Sequence, residues 1–187
     1  MEQEVCFGEI QSGHLEQVGY DTYCNLLDEV VKEMKGIKVE PEVDIQIDLN
    51  VTSYIPDEYI EDSNQKIEIY QNIALCKNEE DIQNIIDEII DRFGNMPEEL
   101  ENLIDIARIK YLAKGLNIEK IASKKTAVLF TFNGSKQNID IPSLVNKYGN
   151  KIKFSAGIKP MVTLEIGSYN ERQILNDVTD FLKEFQK

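Results

Sequence analysis

Few residues in this chain are arranged for chemistry. Its single histidine, His14, stands in a Ser-Gly-His turn. With no second histidine and no CxxC spacing, the pieces of a zinc cluster are missing. A serine–histidine–acid nucleophile would have to be built around that one imidazole, and no nucleophile-elbow glycine pattern supports it. Cys6, Cys24 and Cys76 are odd in number and widely spaced, which argues against a disulfide framework. Cys24 and Cys76 fall in apolar periodic contexts and are expected to be buried thiols. Neither GxxxxGK[ST] nor GxGxxG occurs, so any nucleotide-driven partner machinery binds its nucleotide elsewhere. Catalysis is not expected, and no cofactor or metal is called for.

Carboxylates are abundant, which weakens each as a sign of acid–base work. Glu79, Glu80 and Asp81 open a helix, where negative charge is favourable. The spacing that stands out is in Asp87-Glu-Ile-Ile-Asp-Arg-Phe-Gly94. Glu88 and Asp91 are three apart and share one side of a helix. Together they present a bidentate target for an arginine. The alternatives are that both are simply solvated, or that one pairs with Arg92 or Arg108 inside the domain. Composition leaves these readings open.

The elements that must position this pair follow from periodicity. Spacings of three and four predict a helix over Gly13 to Lys35, closed by Gly36, with a connector to Glu42. Val43 to Leu49 alternates as a half-buried strand does. Tyr54 to Ile60 is an aromatic loop in which Pro56 blocks a ladder bond. Asn64 to Cys76 is expected to be helical, with Ile67, Tyr70, Ile73 and Ala74 on one face. Glu79 to Phe93 is expected to point Ile82, Ile85, Ile86, Ile89 and Ile90 inward and to stop at Gly94. Pro97 suits the first helical position of a helix running to Gly115. The period then switches to two. Strands are expected at Ile118 to Ala122 and Ala127 to Phe132, the latter ending at the Asn133-Gly134 turn. A short helix over Ile139 to Tyr148, strands at Lys151 to Phe154 and Met161 to Ile166, and a helix over Asn170 to Phe185 complete an α+β fold. A helical half is expected to pack beside a small, mostly antiparallel sheet with a C-terminal covering helix.

Charge is uneven among the 187 residues, whose formal net charge is -14. Residues 37–101 hold 18 acids and 4 bases, whereas residues 118–187 hold 7 acids and 11 bases. An acidic surface repels phosphate backbones, so general duplex binding is not expected. The acidic middle is either a solvated face or a patch that docks a basic partner. No apolar run approaches the roughly 20 residues needed to span a bilayer, and the acidic start lacks a signal pattern. A cytoplasmic protein without membrane association is expected.

Several stretches carry a resemblance. Gly8 to Tyr23, Tyr54 to Ile60, Lys66 to Tyr70, Asp87 to Pro97, Leu103 to Lys110 and Gly115 to Ile118 together resemble the C-terminal region of the bacterial transcription-repair coupling factors, the Mfd family. The IDRFG…P stretch is the most specific. The resemblance implies a C-terminal piece of an ATP-driven double-stranded DNA translocase that removes stalled RNA polymerase and recruits UvrA. It implies that residues 1–38 are an appendage helix from the end of the motor and residues 39–187 a C-terminal regulatory domain. It further implies a non-catalytic, autoinhibitory contact of that domain with the family's UvrB-like domain, masking the UvrA-binding surface. Glu88 and Asp91 match the acidic positions of that contact. The alternative is an accessory DNA-contacting module using Lys120, Lys124, Lys125, Lys136, Lys151 and Lys153.

Overall fold

The alternating segment before Asn50 becomes strand β1, Gln46–Asp48, which joins the sheet as an edge. The computed structural model describes residues 45–134, 140–167 and 170–185. The expected helix over Gly13 to Lys35, the appendage 1–38, His14, Cys6, Cys24 and Lys136 lie outside the described residues. After β1 come three helices: α1 (Ser63–Leu75), α2 (Glu79–Phe93) and α3 (Glu98–Lys114). Then follow β2 (Ile118–Lys124), β3 (Ala127–Phe132), α4 (Ile141–Tyr148), β4 (Ile152–Ser155), β5 (Met161–Glu165) and α5 (Glu171–Glu184). The sheet order is β1-β2-β3-β5-β4. Only the β1–β2 pair is parallel; the other three are antiparallel. The fold is therefore α+β, with a five-stranded mixed sheet.

Local chemistry sets the helix starts. Asp62, Asn78, Asp140 and Asn170 each accept a hydrogen bond from the backbone N–H three residues on, capping α1, α2, α4 and α5. Asp81 also reaches back to the Lys77 N–H at 2.9 Å. Gly94 ends α2 at φ 83°, a left-handed value that costs a residue without Cβ little. Pro97 is the cap residue of α3 rather than its first helical residue.

Two apolar cores share α3. Leu100, Leu103, Ile104 and Ala107 pack with α1, α2 and the loop residues Ile55 and Ile60. Ile106, Ile109, Leu112 and Ala113 pack with the sheet, α4 and α5. Ile47, Ile121, Phe130 and Val162 stand in register across four strands and are all buried. On α5, Ile174, Leu175, Val178, Phe181 and Leu182 form the matching stripe. The Phe181 ring lies 4.5 Å from that of Phe130.

Two inward faces differ from the sequence expectation. On α1 the buried residues are Lys66, Ile69, Tyr70 and Ile73, while Ile67 and Ala74 are exposed. The loop over α1 turns the helix this way. Ile55 N–H donates to the Tyr70 hydroxyl at 2.9 Å, and Lys66 lays its stem inward to pair with Asp57. On α2, Ile82, Ile85 and Ile89 are buried and Ile86 half-buried, but Ile90 is 44% exposed. Ile90 lies roughly 100° round the helix from Ile89, outside the arc that α1 and α3 cover.

Candidate functional site

The loop from Tyr54 to Ile60 fastens the C-terminal end of α2. Tyr59 donates its hydroxyl to the Gly94 carbonyl at 2.8 Å, and its ring lies 6.0 Å from that of Phe93. Glu88 and Asp91 project from this fixed end and are both exposed. The structure brings them to one side of the helix, but their surroundings differ. Glu88 accepts a hydrogen bond from Arg92 Nη1 at 2.6 Å. Arg92 Nη2 lies 3.7 Å from Glu68 Oε2 on α1, and its guanidinium carbon sits 5.0 Å over the Phe93 ring. The Glu88 hydrogen bond pushes the Arg92 guanidinium still further into its charged form. Of the readings left open by composition, the internal pair with Arg92 is the one that Glu88 adopts.

Asp91 has no hydrogen-bond or ion-pair partner among the described residues. It sits in the last turn of α2, where exposed carbonyls make the helix end negative and disfavour a carboxylate. Asp87, beside it, accepts from Gln83 Nε2 at 2.8 Å. Among the described residues nothing compensates Asp91 by a hydrogen bond or ion pair. Exposed Ile90 is its chain neighbour, so this patch combines an apolar contact with that carboxylate.

Arg108, the other arginine considered for this pair, works elsewhere. It reaches Glu79 at 2.7 Å and Asp105 at 2.5 Å. The Arg108 hydrogen bond holds the Glu79 carboxyl below the ordinary glutamate range. Tyr111 also donates to Glu79 at 2.8 Å, and burial, then Glu79, push its hydroxyl up to about 12. Cys76 is half-buried rather than fully buried, and burial, then Asp81, push its thiol up to about 11. Such a thiol is a poor nucleophile at neutral pH. Among the described residues, no cluster of three or more His, Cys, Asp or Glu is arranged to hold a metal ion.

Sequence reasoning missed Glu68 and Ile90 as parts of this surface. The Glu88–Arg92 spacing of four was readable as a helical pair. Glu68 was not, because only the packing of α1 against α2 brings it near Arg92. The basic third is less free than its lysine count implies. Lys153 pairs with Glu165, Lys159 with Glu119 at 2.5 Å and Lys147 with Glu184 at 2.6 Å.

The TRCF domain family model matches residues 49–144, from the end of β1 into α4. The chain belongs to the TRCF domain family. The transcription-repair-coupling factor of Bacillus subtilis (strain 168) is 33% identical over 182 residues, covering 94% of this chain and 16% of that protein. That of Rickettsia prowazekii is 35% identical over 179 residues, with the same coverages. That of Staphylococcus epidermidis is 40% identical over 123 residues, 65% of this chain and 10% of that protein. The chain thus spans 16% or less of the length of these relatives. A crystal structure of the C-terminal domain of transcription-repair coupling factor superposes with a TM-score of 0.69 at 21% identity. The match covers 76% of this chain and 92% of that one. At that identity the likeness concerns the TRCF fold. No helix among the described residues is long and apolar enough to cross a membrane.

Proposed function

We propose that this TRCF domain serves transcription-repair coupling as a non-catalytic docking domain. In this reading it packs on the UvrB-like domain of its parent protein, masks the UvrA-binding surface and restrains an ATP-driven DNA translocase that removes stalled RNA polymerase. The observation that carries the reading is Asp91: a carboxylate at the negative end of α2, without an ion-pair partner among the described residues and beside exposed Ile90. A partner guanidinium supplies that ion pair. The closed state then needs no catalytic group in this domain, only a modest contact strengthened by tethering within one chain.

Each exposed charged contact contributes about 0–1 kcal/mol. Two that sum to about 1.4 kcal/mol shift a closed-to-open balance roughly tenfold. In the full-length parent, Glu88→Ala/Asp91→Ala is therefore expected to raise UvrA affinity by up to about tenfold at fixed salt. Equal affinities for wild type and double variant would return both residues to the solvated-helix reading.

The second reading, a DNA-contacting module, has Lys120, Lys124, Lys125 and Lys151 to draw on. Lys153 is engaged by Glu165. A duplex titration against salt separates the two readings, since strong and steeply salt-dependent binding by this chain belongs to the DNA module alone.

A further inference from the structure

Arg92 is the only basic side chain in the last turn of α2. On the neighbouring α1, the one lysine, Lys66, is committed to Asp57. Arg92 therefore faces a surface of acids, and it is placed to choose between two of them. One arm of its guanidinium holds Glu88 at 2.6 Å, and the other stands 3.7 Å from Glu68 across the helix pair. Phe93 beneath it, itself packed on Tyr59, keeps the guanidinium close to both. An arriving partner guanidinium meets Asp91 open but finds one oxygen of Glu88 already held by Arg92.

We infer that Arg92 is an internal competitor for the docking surface, so that docking is a guanidinium exchange on Glu88. The inference rests on the docking reading above and assigns the regulation of that site. Asp91 makes the first contact. Glu88 offers both its oxygens to a forked partner only when Arg92 lets go of the one it holds, and Glu68 is the carboxylate within reach to receive Arg92. The two acids are consequently not equivalent: Asp91 contributes directly, whereas the contribution of Glu88 is reduced by what Arg92 holds. Only hydrogen bonds and ion pairs are exchanged, no covalent bond forms or breaks, and every group keeps its charge.

The exchange predicts a sign that a contact role for Arg92 does not. Removing Arg92 frees Glu88, so affinity for a basic partner rises. If Arg92 instead touches the partner itself, its removal weakens binding. The test measures binding of the 187-residue chain to the UvrB-like domain of its parent at fixed, low salt. Wild type is compared with Asp91→Ala, Arg92→Gln, Glu88→Ala and Arg92→Gln/Glu88→Ala, each checked by thermal melting. Arg92→Gln is expected to tighten binding by about two- to fivefold, the scale of one exposed ion pair. That gain should vanish in the Arg92→Gln/Glu88→Ala double variant, because the freed carboxylate is its source. Asp91→Ala should weaken binding by a similar factor.

Should Arg92→Gln lose stability, Arg92→Lys provides the second measurement. It keeps the charge but loses the forked geometry that reaches two carboxylates, and is expected to tighten binding by a smaller factor. Weaker or unchanged binding on Arg92→Gln, with Asp91→Ala still weakening it, overturns the exchange and leaves the docking reading standing. A tighter Arg92→Gln whose gain survives Glu88→Ala overturns the assignment of Glu88 as the contested group. No effect of Asp91→Ala removes the docking reading itself, and the exchange with it.

Discussion

Two sets of carboxylates on the helical half behave in opposite ways. At the seam between α2, α3 and α5, Glu79, Asp105 and Glu101 are tied together by Arg108 and Arg172. Arg172 bridges Glu101 at 3.6 Å and Asp105 at 2.9 Å, while Arg108 bridges Asp105 and Glu79. These links join α2 to α3 and α3 to α5, so they span both apolar cores. At the far end of α2, a single arginine serves Glu88 and Glu68, and Asp91 is left without a partner among the described residues. Both sets come from the acidic stretch and its border, and composition does not separate them. The difference is one of assignment: at the seam two arginines reach all three acids, and at the α2 end one arginine reaches two of the three. Acids that hold the domain together and acids that await something else are thus distinguishable by where the cations went.

The sharpest stability contrast lies within α2 itself. Ile89 is buried against the helical core, while its neighbour Ile90 is 44% exposed. Ile89→Ala is expected to cost about 2–5 kcal/mol, and Ile90→Ala less than about 1 kcal/mol. Urea unfolding of the two variants checks this, and similar losses would mean that the packed arc of α2 includes Ile90 after all.

The seam gives the next largest effect. Asp105 is mostly buried, with 13% of its side chain exposed. Arg108→Ala removes one of its two arginines and leaves Glu79 with Tyr111 alone, and is expected to cost about 2–3 kcal/mol at neutral pH. The pH dependence has a definite sign. Arg108 lowers the folded-state pKa of Glu79, so that pair contributes above the ordinary glutamate value and is lost as pH falls through the folded value. Asp105 acts oppositely. Burial, outweighing Arg172 and Arg108, raises its folded-state pKa, so its contribution is present at low pH and lost as pH rises through that raised value. The gap between wild type and Arg108→Ala is therefore expected to narrow as pH falls from about 7 to about 3. A gap that stays constant in urea melts across that range would detach Glu79 from the stabilising role of Arg108.

Much of this architecture was legible in the sequence. The bounds of β3 coincide with the alternating run Ala127–Phe132, and α5 with its apolar stripe, because one-sided burial imposes its period directly on the residues. The switch from helical to alternating period after Gly115 marks where α3 gives way to the sheet. The faces of α1 and α2 were less legible. In α2 five isoleucines compete for an arc that buries only three of them, and periodicity alone does not choose. In α1 a lysine occupies an inward position through its aliphatic stem, which residue type disguises. At the candidate site, the shared side of Glu88 and Asp91 followed from spacing. Their inequality did not, since it depends on where Arg92 points. The seam was invisible for another reason: Arg108 and Glu79 are 29 residues apart, and Arg172 and Asp105 are 67 apart.

The smallest expected effect on stability is also the most discriminating between the two sets. Glu88→Ala removes an exposed pair four residues apart on one helix, a contact of about 0.3–0.5 kcal/mol, partly offset by the better helix propensity of alanine. Asp91→Ala removes no partner. It relieves a carboxylate of the negative end of α2 and installs a strong helix former in an exposed position. Glu88→Ala is therefore expected to leave stability unchanged or slightly lower, and Asp91→Ala to raise it by a few tenths of a kcal/mol. Raising salt should shrink the gain, because the interaction with the helix end is screened. A stabilised Asp91→Ala would fit the pattern expected where a position is kept for something other than stability. Paired thermal melts of wild type and both variants at low and high salt decide the matter. A destabilised Asp91→Ala would mean that the fold does compensate this carboxylate, and Asp91 would then join the seam acids as part of what holds the domain together.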